Sequence, residues 1–193
     1  GTQQRSENEA RFLLAIAIAR SGRLGKKVNA FVAIGGAPGD GPFPSGKAPD
    51  GLNWDMWVGP AQQADYCDQR RKEFRWYFDY SGGKMTDWGA HHIDISQWGL
   101  GKDHSGPVKI SGKGTFGNVV PEKFDWGAYF AGKASLPNGF NTPVAFSIDC
   151  EFDNGAVLHV CDNYVRPEDK IEFNNGILFE GEEESGSPSL KPF

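Results

Sequence analysis

The stretch VAFSIDCEFDNGAVLHVCD, residues 144–162, decides the fold. Two runs of alternating apolar residues flank Asp153-Asn154-Gly155-Ala156. Asn-Gly is the strongest short hairpin signal, because both central residues of a tight turn need positive φ. Read as a two-residue turn, it pairs Phe152 with Val157, Cys150 with His159 and Ile148 with Cys161. These six then share one sheet face with Val144 and Phe146. Cys150 and Cys161 become diagonal neighbours about 7–8 Å apart, too far for an unstrained disulfide.

More strand candidates surround this hairpin: residues 108–116, 126–134, 170–173 and 177–179. Asn174-Asn175-Gly176 marks a second hairpin. Upstream, Ser6-Glu-Asn-Glu9 reads as a capping box. Phe12, Leu13, Ala15, Ile16 and Ala19 recur at helical spacing, and Gly22 suits the position after a helix, so residues 7–21 are expected to form an amphipathic helix. Val28, Ala30, Val32 and Ile34 alternate as a strand over 27–34. Residues 35–53 hold many glycines and prolines and read as a long loop. Trp54 and Trp57 suit one helical turn, 74–78 is read as extended, and 84–98 as a helix. Helices followed by a run of antiparallel strands predict an α+β domain. The expected organisation is one domain over 1–181 and a flexible tail over 182–193.

The chain of 193 residues suffices for one sizeable core. Its net charge of −5 with scattered basic residues argues against a nucleic-acid footprint. No apolar run is long enough to span a membrane, and residues 1–6 do not read as a signal peptide. Cys67, Cys150 and Cys161 are too few for a disulfide framework and lack C-x-x-C spacing. Aromatic content of 13% with 26 glycines predicts a loop-rich domain with large aromatic anchors.

Ionisable groups concentrate in SGGKMTDWGAHHIDISQWG, residues 81–99. On a helix, Asp87, His91, Asp94 and Trp98 fall in one stripe about 60° wide. Trp88, His92 and Ile95 lie on the adjacent face, read as the side packed on the sheet. His91 follows Asp87 by one turn, where side chains meet. A carboxylate beside an imidazole fixes the ring tautomer and raises its basicity, which suits proton transfer from an alcohol near neutral pH. The same spacing also describes an ordinary surface ion pair. Asp87, His91 and Asp94 offer an N/O ligand set, but no second cluster completes it, so no metal is expected. Gly112-Lys-Gly114-Thr-Phe-Gly117 matches G-x-G-x-x-G but leads into a further strand and not a helix, so it is read as strand kinks and not as a dinucleotide turn.

Gly82-Gly-Lys-Met-Thr-Asp87-Trp-Gly89-Ala-His91-His-Ile-Asp94 resembles the G-G-x-x-x-D-x-G-x-H-x-x-D signature of the glucose-fructose oxidoreductase / inositol dehydrogenase / MocA-like (Gfo/Idh/MocA) family. Leu52-Asn-Trp-Asp-Met-Trp-Val-Gly-Pro60 and Phe74-Arg-Trp-Tyr-Phe-Asp-Tyr-Ser-Gly-Gly83 resemble the branch common in sugar-degrading bacteria. Gly1-Thr-Gln-Gln-Arg5-Ser is similar to the segment leaving that family's Rossmann domain. The resemblance extends over 1–181 and implies the family's C-terminal substrate and oligomerisation domain, an open, mostly antiparallel sheet with helices packed on one face, with the Rossmann domain and the E-K-P lysine outside these residues.

It further implies hydride transfer between NAD or NADP and a hydroxyl-bearing carbon of a sugar or cyclitol, with the cofactor held by the full-length protein and not by this chain alone. His91 is then the acid/base or partner of the family lysine, and Asp87 orients it or holds the substrate hydroxyl. Asp94, Arg75, Tyr77 and Arg5 are implied substrate contacts, and Gln3 and Gln4 lie at the cofactor seam. The implied partner is a second copy docking on the open sheet face, with neither nucleic acid nor membrane; location stays open between cytoplasm and periplasm. Two alternatives remain: an NAD-dependent redox glycosidase of the same fold, and a non-catalytic oligomerisation or sugar-binding module.

Overall fold

The computed structural model describes residues 10–181. The capping box, the tail over 182–193, Gln3, Gln4 and Arg5 lie outside the described residues. The elements in chain order are α1 (Ala10–Arg20), β1 (Val28–Ala33), α2 (Trp54–Val58), α3 (Asp68–Lys72), α4 (Trp88–Gly99), β2 (Lys109–Thr115) and α5 (Trp126–Phe130). They continue with β3 (Ala145–Glu151), β4 (Val157–Cys161), β5 (Tyr164–Arg166), β6 (Ile171–Phe173) and β7 (Gly176–Gly181). The described chain falls into two compact units. One takes the segment up to Gly36, Asp87–Gly114, and the segment from Ala145 onward; the other takes Ala37–Thr86 and Thr115–Val144.

The first unit is built on an open sheet of order β2-β3-β4-β1-β7. β3–β4 and β1–β7 are antiparallel, while β1 and β4 run parallel, so the sheet is mixed. β1 lies between two neighbours, and its Ala30, Val32 and Ala33 are buried. Ala30 aligns with Leu158 and Phe179, and Val32 with Val160 and Ile177, and none of the six is more than 1% exposed. α4 packs over this face, with α1 alongside it. α1 buries Phe12, Ala15, Ile16 and Ala19 of the expected helical stripe, Leu13 being 39% exposed, and Gly22 follows its end at φ +79°. On the opposite face Phe31, Ala33, Cys161 and Leu178 pack with Tyr164, Ile171 and Phe173 of the small β5–β6 ladder.

The 144–162 hairpin forms, but one residue out of the expected register. Cys150 faces Leu158, Asp149 faces His159 and Ser147 faces Cys161. The loop holds three residues: the Phe152 amide donates to the Ala156 carbonyl at 2.9 Å, and Gly155 alone takes positive φ, at +77°. A three-residue loop with glycine in the left-handed position replaces the two-residue turn. Because side chains alternate strictly, this slip exchanges faces. Cys150 and Cys161 therefore point to opposite sides of the sheet, and all three cysteines are free. Burial pushes the Cys161 thiol up to about 11.

Four other expectations are corrected. Asn174-Asn175-Gly176 joins strands of different ladders, since β6 pairs with β5 and β7 with β1. Residues 126–134 begin with α5, because the Asp125 carboxylate accepts the Ala128 amide at 2.9 Å and caps a helix where aromatic content suggested a strand. Residues 74–76 form a 3₁₀ turn and not an extended run. α4 starts at Trp88, preceded by a 3₁₀ turn over Gly83–Met85.

The second unit has little regular structure, and aromatic packing and polar side chains organise it. Trp54 and Trp57 stack at 4.6 Å and 11°, Trp57 meets Tyr80 edge-on at 4.9 Å, and the Trp54 indole N–H donates to the Ala64 carbonyl at 2.8 Å. Trp126 packs among Phe78, Phe116 and Phe124. Beneath these rings the Arg70 guanidinium pairs with Asp79 at 3.1 Å, both side chains less than a tenth exposed. It also lies over the Tyr77 ring at 4.4 Å. Burial opposes the guanidinium charge, yet the Tyr80 hydroxyl and the Asp79 carboxylate outweigh it and hold its pKa above the ordinary value.

Two stability outcomes follow from these contacts. In an exposed helix, Gly→Ala stabilises by about 1 kcal/mol. At Gly99 an added Cβ would stand 2.3 Å from the Phe179 ring, which is fully buried. Gly99→Ala is therefore expected to destabilise, by about 1–3 kcal/mol in denaturant unfolding. Asp79→Asn leaves Arg70 buried without its counter-charge and is expected to cost about 3–5 kcal/mol, whereas a stability within 1 kcal/mol of wild type would refute the pairing.

Candidate active site on α4

α4 is a twelve-residue helix whose N-cap and first two turns carry the ionisable cluster. Asp87 occupies its N-cap, yet the carboxylate makes no hydrogen bond to the helix end. A negative charge there is stabilised by the helix dipole, and the carboxylate is not consumed by capping. His91 follows one turn later, half-buried like Asp87. Its ring sits edge-on to Trp88 at 6.0 Å. His91 and Asp94 also engage other groups.

The two adjacent histidines have different surroundings, as their helical phase implies. His92 is 6% exposed, and its Nε2–H donates to the Asn175 carboxamide oxygen at 2.7 Å. Its other neighbours are Ile95, fully buried, and the Ser96 hydroxyl, which donates to the His92 carbonyl at 2.7 Å. Burial holds the His92 pKa below the ordinary imidazole value, with the Asn175 hydrogen bond opposing it. Trp88, expected on the sheet side, is instead 40% exposed and contacts both imidazoles. A flat apolar surface thus borders His91 at the helix start.

α4 brings Asp87, His91 and Asp94 onto one element. The other two described candidates belong to the second unit. Arg75 is exposed, ion-paired to Glu73 at 3.2 Å and placed over the Trp76 ring at 4.9 Å. Tyr77 is fully buried, its hydroxyl without a partner, and burial pushes its phenol up. Its ring belongs to the core, where no substrate surface reaches it. Sequence reasoning missed the polar cluster of Arg70, Asp79, Tyr129 and Asn141. Its members are spread over seventy residues of irregular chain, so no periodicity linked them; the one local hint was an Arg and an Asp flanking a run of aromatic residues.

Among the described residues no group of three or more His, Cys, Asp or Glu is placed to hold a metal, and no helix is long and apolar enough to cross a membrane. Gly112 and Gly114 lie within β2, an exposed strand at the sheet edge. This string therefore lies in a strand and opens no helix, as read from the sequence.

Compared with known proteins, residues 38–116 match the family model GFO_IDH_MocA_C2, described as the oxidoreductase family's C-terminal alpha/beta domain. The match contains α2, the aromatic run at 74–78, the Gly82–Gly83 turn and all of α4. No curated protein matches the chain.

A pH test separates the two histidines. Because the His92 pKa is lowered on folding, the unfolded chain binds more protons below about pH 6.5. The contribution of His92 to stability is complete above that pH and is lost as pH falls through the lowered value. Thermal unfolding between pH 7.5 and 5 is expected to show this slope, and His92→Gln, which keeps a donor to Asn175, is expected to flatten it. An unchanged slope in His92→Gln would show that the buried ring is not its source.

Proposed function

We propose that this chain, whose residues 38–116 match the family's C-terminal domain model, forms the substrate half of an NAD(P)-dependent enzyme acting on a hydroxyl of a sugar or cyclitol. The observation that carries this reading is α4. It sets Asp87, His91 and Asp94 on a short helix within the matched segment, with the Asp87 carboxylate free of capping. The bound nicotinamide supplies a hydride acceptor, and it is held by a dinucleotide domain beyond the residues described. What these residues contribute is proton transfer and positioning. His91 takes the proton of the substrate hydroxyl, directly or through a lysine of the partner domain. Asp87 orients the imidazole and stabilises its cationic form. Asp94 and Arg75 contact hydroxyls, and the exposed face of Trp88 packs against the apolar side of a ring.

The same reading docks a second subunit on the sheet. In support, every residue of β2 is exposed, Ile110 and the preceding Val108 by more than 60%, and β2 lies at an open edge.

The test uses the full-length protein with NAD or NADP and a panel of sugars and cyclitols, following nicotinamide reduction. His91→Ala is expected to lower kcat by about 10²–10⁴-fold, and Asp87→Asn to lower it with little change in KM. Turnover unchanged in both variants would overturn the assignment. Release of monosaccharide without net nicotinamide reduction would identify a redox glycosidase instead.

A further inference from the structure

One residue outside α4 reaches its ionisable cluster. Asn175 lies in the segment joining β6 to β7, and its carboxamide oxygen accepts the His92 Nε2–H at 2.7 Å from 83 positions away in the chain. A carbonyl oxygen can only accept, so the bond places the proton of the neutral ring on Nε2 and leaves Nδ1 bare. The same imidazole meets Trp88 edge-on, at 5.7 Å and 86°, and the indole in turn meets His91 at 6.0 Å and 61°. Trp88, His91 and His92 stand at i, i+3 and i+4 of one helix, the spacing at which side chains touch. One indole therefore lies against both rings. Trp88 is 40% exposed, and an exposed side chain changes rotamer freely. His92, buried and bonded, is the fixed member of the three.

The charge state of His92 bears on the same chemistry. Burial opposes a charge on this ring, and the His91 charge opposes it further. Repulsion between like charges is mutual, so a proton on His92 would equally oppose one on His91. A base that takes up a proton beside a second imidazole needs that imidazole uncharged. Asn175 meets the condition, because a carboxamide satisfies the Nε2–H without supplying a counter-charge, whereas a carboxylate there would favour the imidazolium. Among the described residues, His91 is the charged group that acts on the His92 ring; α1, β1 and β7, which pack against α4, bring no other. Ile95 is apolar, and the Ser96 hydroxyl is spent on the His92 carbonyl at 2.7 Å.

We propose that Asn175 and His92 are positioning residues for proton transfer at His91: their hydrogen bond locks one imidazole in a single tautomer, and that ring, through Trp88, sets the orientation of the other. Both act through His91, and neither is required to touch the substrate. The proposal rests on the reading of His91 as the group that takes the hydroxyl proton. It gives the paired histidines of α4 one task between them, the inner ring holding still so that the outer one transfers the proton from a fixed direction.

The kinetic test uses the full-length protein with NAD or NADP and a sugar or cyclitol that it oxidises. Asn175→Ala removes the acceptor and is expected to lower kcat about ten-fold with KM within about two-fold, because orientation is felt in the transition state. His92→Leu fills the space without a donor and is expected to do the same. His92→Gln keeps an uncharged donor to Asn175 and is expected to hold kcat within about three-fold of wild type. Lost packing alone would not separate kcat from KM, nor spare glutamine while penalising the more apolar leucine. A second test needs no turnover: imidazole nitrogen NMR of the full-length protein labelled at histidine. His92 is expected as the uncharged Nε2–H tautomer between about pH 7.5 and 6, and Asn175→Ala is expected to release it to a tautomer mixture and to shift the His91 signals. Wild-type kcat in both Asn175→Ala and His92→Leu, with kcat lowered by His91→Ala, would overturn the proposal and leave the reading of His91 standing. Unchanged turnover in His91→Ala would sink both. A charged or Nδ1–H His92 in the wild-type protein, or His91 signals unmoved by Asn175→Ala, would overturn the proposal whatever the kinetics.

Discussion

Everything proposed for α4 depends on the closeness of that helix to Phe179. Gly99 lets the helix end rest on the phenyl ring, where any larger side chain would be forced into it. Upstream on the same helix, His92 is held by Asn175 from the segment leading into β7. The helix is thus held near its middle and at its C-terminal end against one strand region. With His92 and Ile95 facing inward, the 100° helical step turns His91 and Asp87 toward the partly exposed side. Proton-transfer chemistry requires a ring of fixed orientation. The buried His92 anchors the helix that bears His91, and burial holds its own pKa below the ordinary imidazole value.

The second unit meets a different constraint. With few backbone ladders, its irregular segments satisfy polar groups through side chains. Arg70, Asp79, Tyr129 and Asn141 form a chain in which each group accepts or donates to the next. Asn138 and Asn141 extend it to the backbone at Phe43 and Phe78. Such a buried network specifies one arrangement of loops, since breaking any link leaves a polar group unsatisfied in a low-dielectric interior.

Elements whose signal is local were legible in the sequence. The stripe Phe12, Ala15, Ile16 and Ala19 gave α1, alternation gave β1, and the helical phase of 87–98 separated His91 from His92. Elements that depend on a partner were not. Asn-Gly announces a turn but does not say whether two or three residues form it, so the register, and with it the face of every side chain from 144 to 162, was set by the ladder. Trp126, Tyr129 and Phe130 suit a strand by propensity, and the Asp125 cap with surrounding aromatic packing made them a helix. Asn174-Asn175-Gly176 turns the chain, but the neighbours of β6 and β7 decided that it connects two ladders.

By itself the sequence determined the α+β class, the helix bearing Asp87, His91 and Asp94, and the family signature, because each is written in residues within one or two turns of one another. Tertiary structure alone decided the parallel β1–β4 pairing, the separation of Cys150 from Cys161 across the sheet, the burial of Tyr77 and the assembly of Arg70, Asp79, Tyr129 and Asn141 into one hydrogen-bonded chain. The physical reason is range. Capping, periodicity and turn preference act between near neighbours along the chain, whereas register, burial and polar satisfaction depend on which distant segment supplies the other half of each contact.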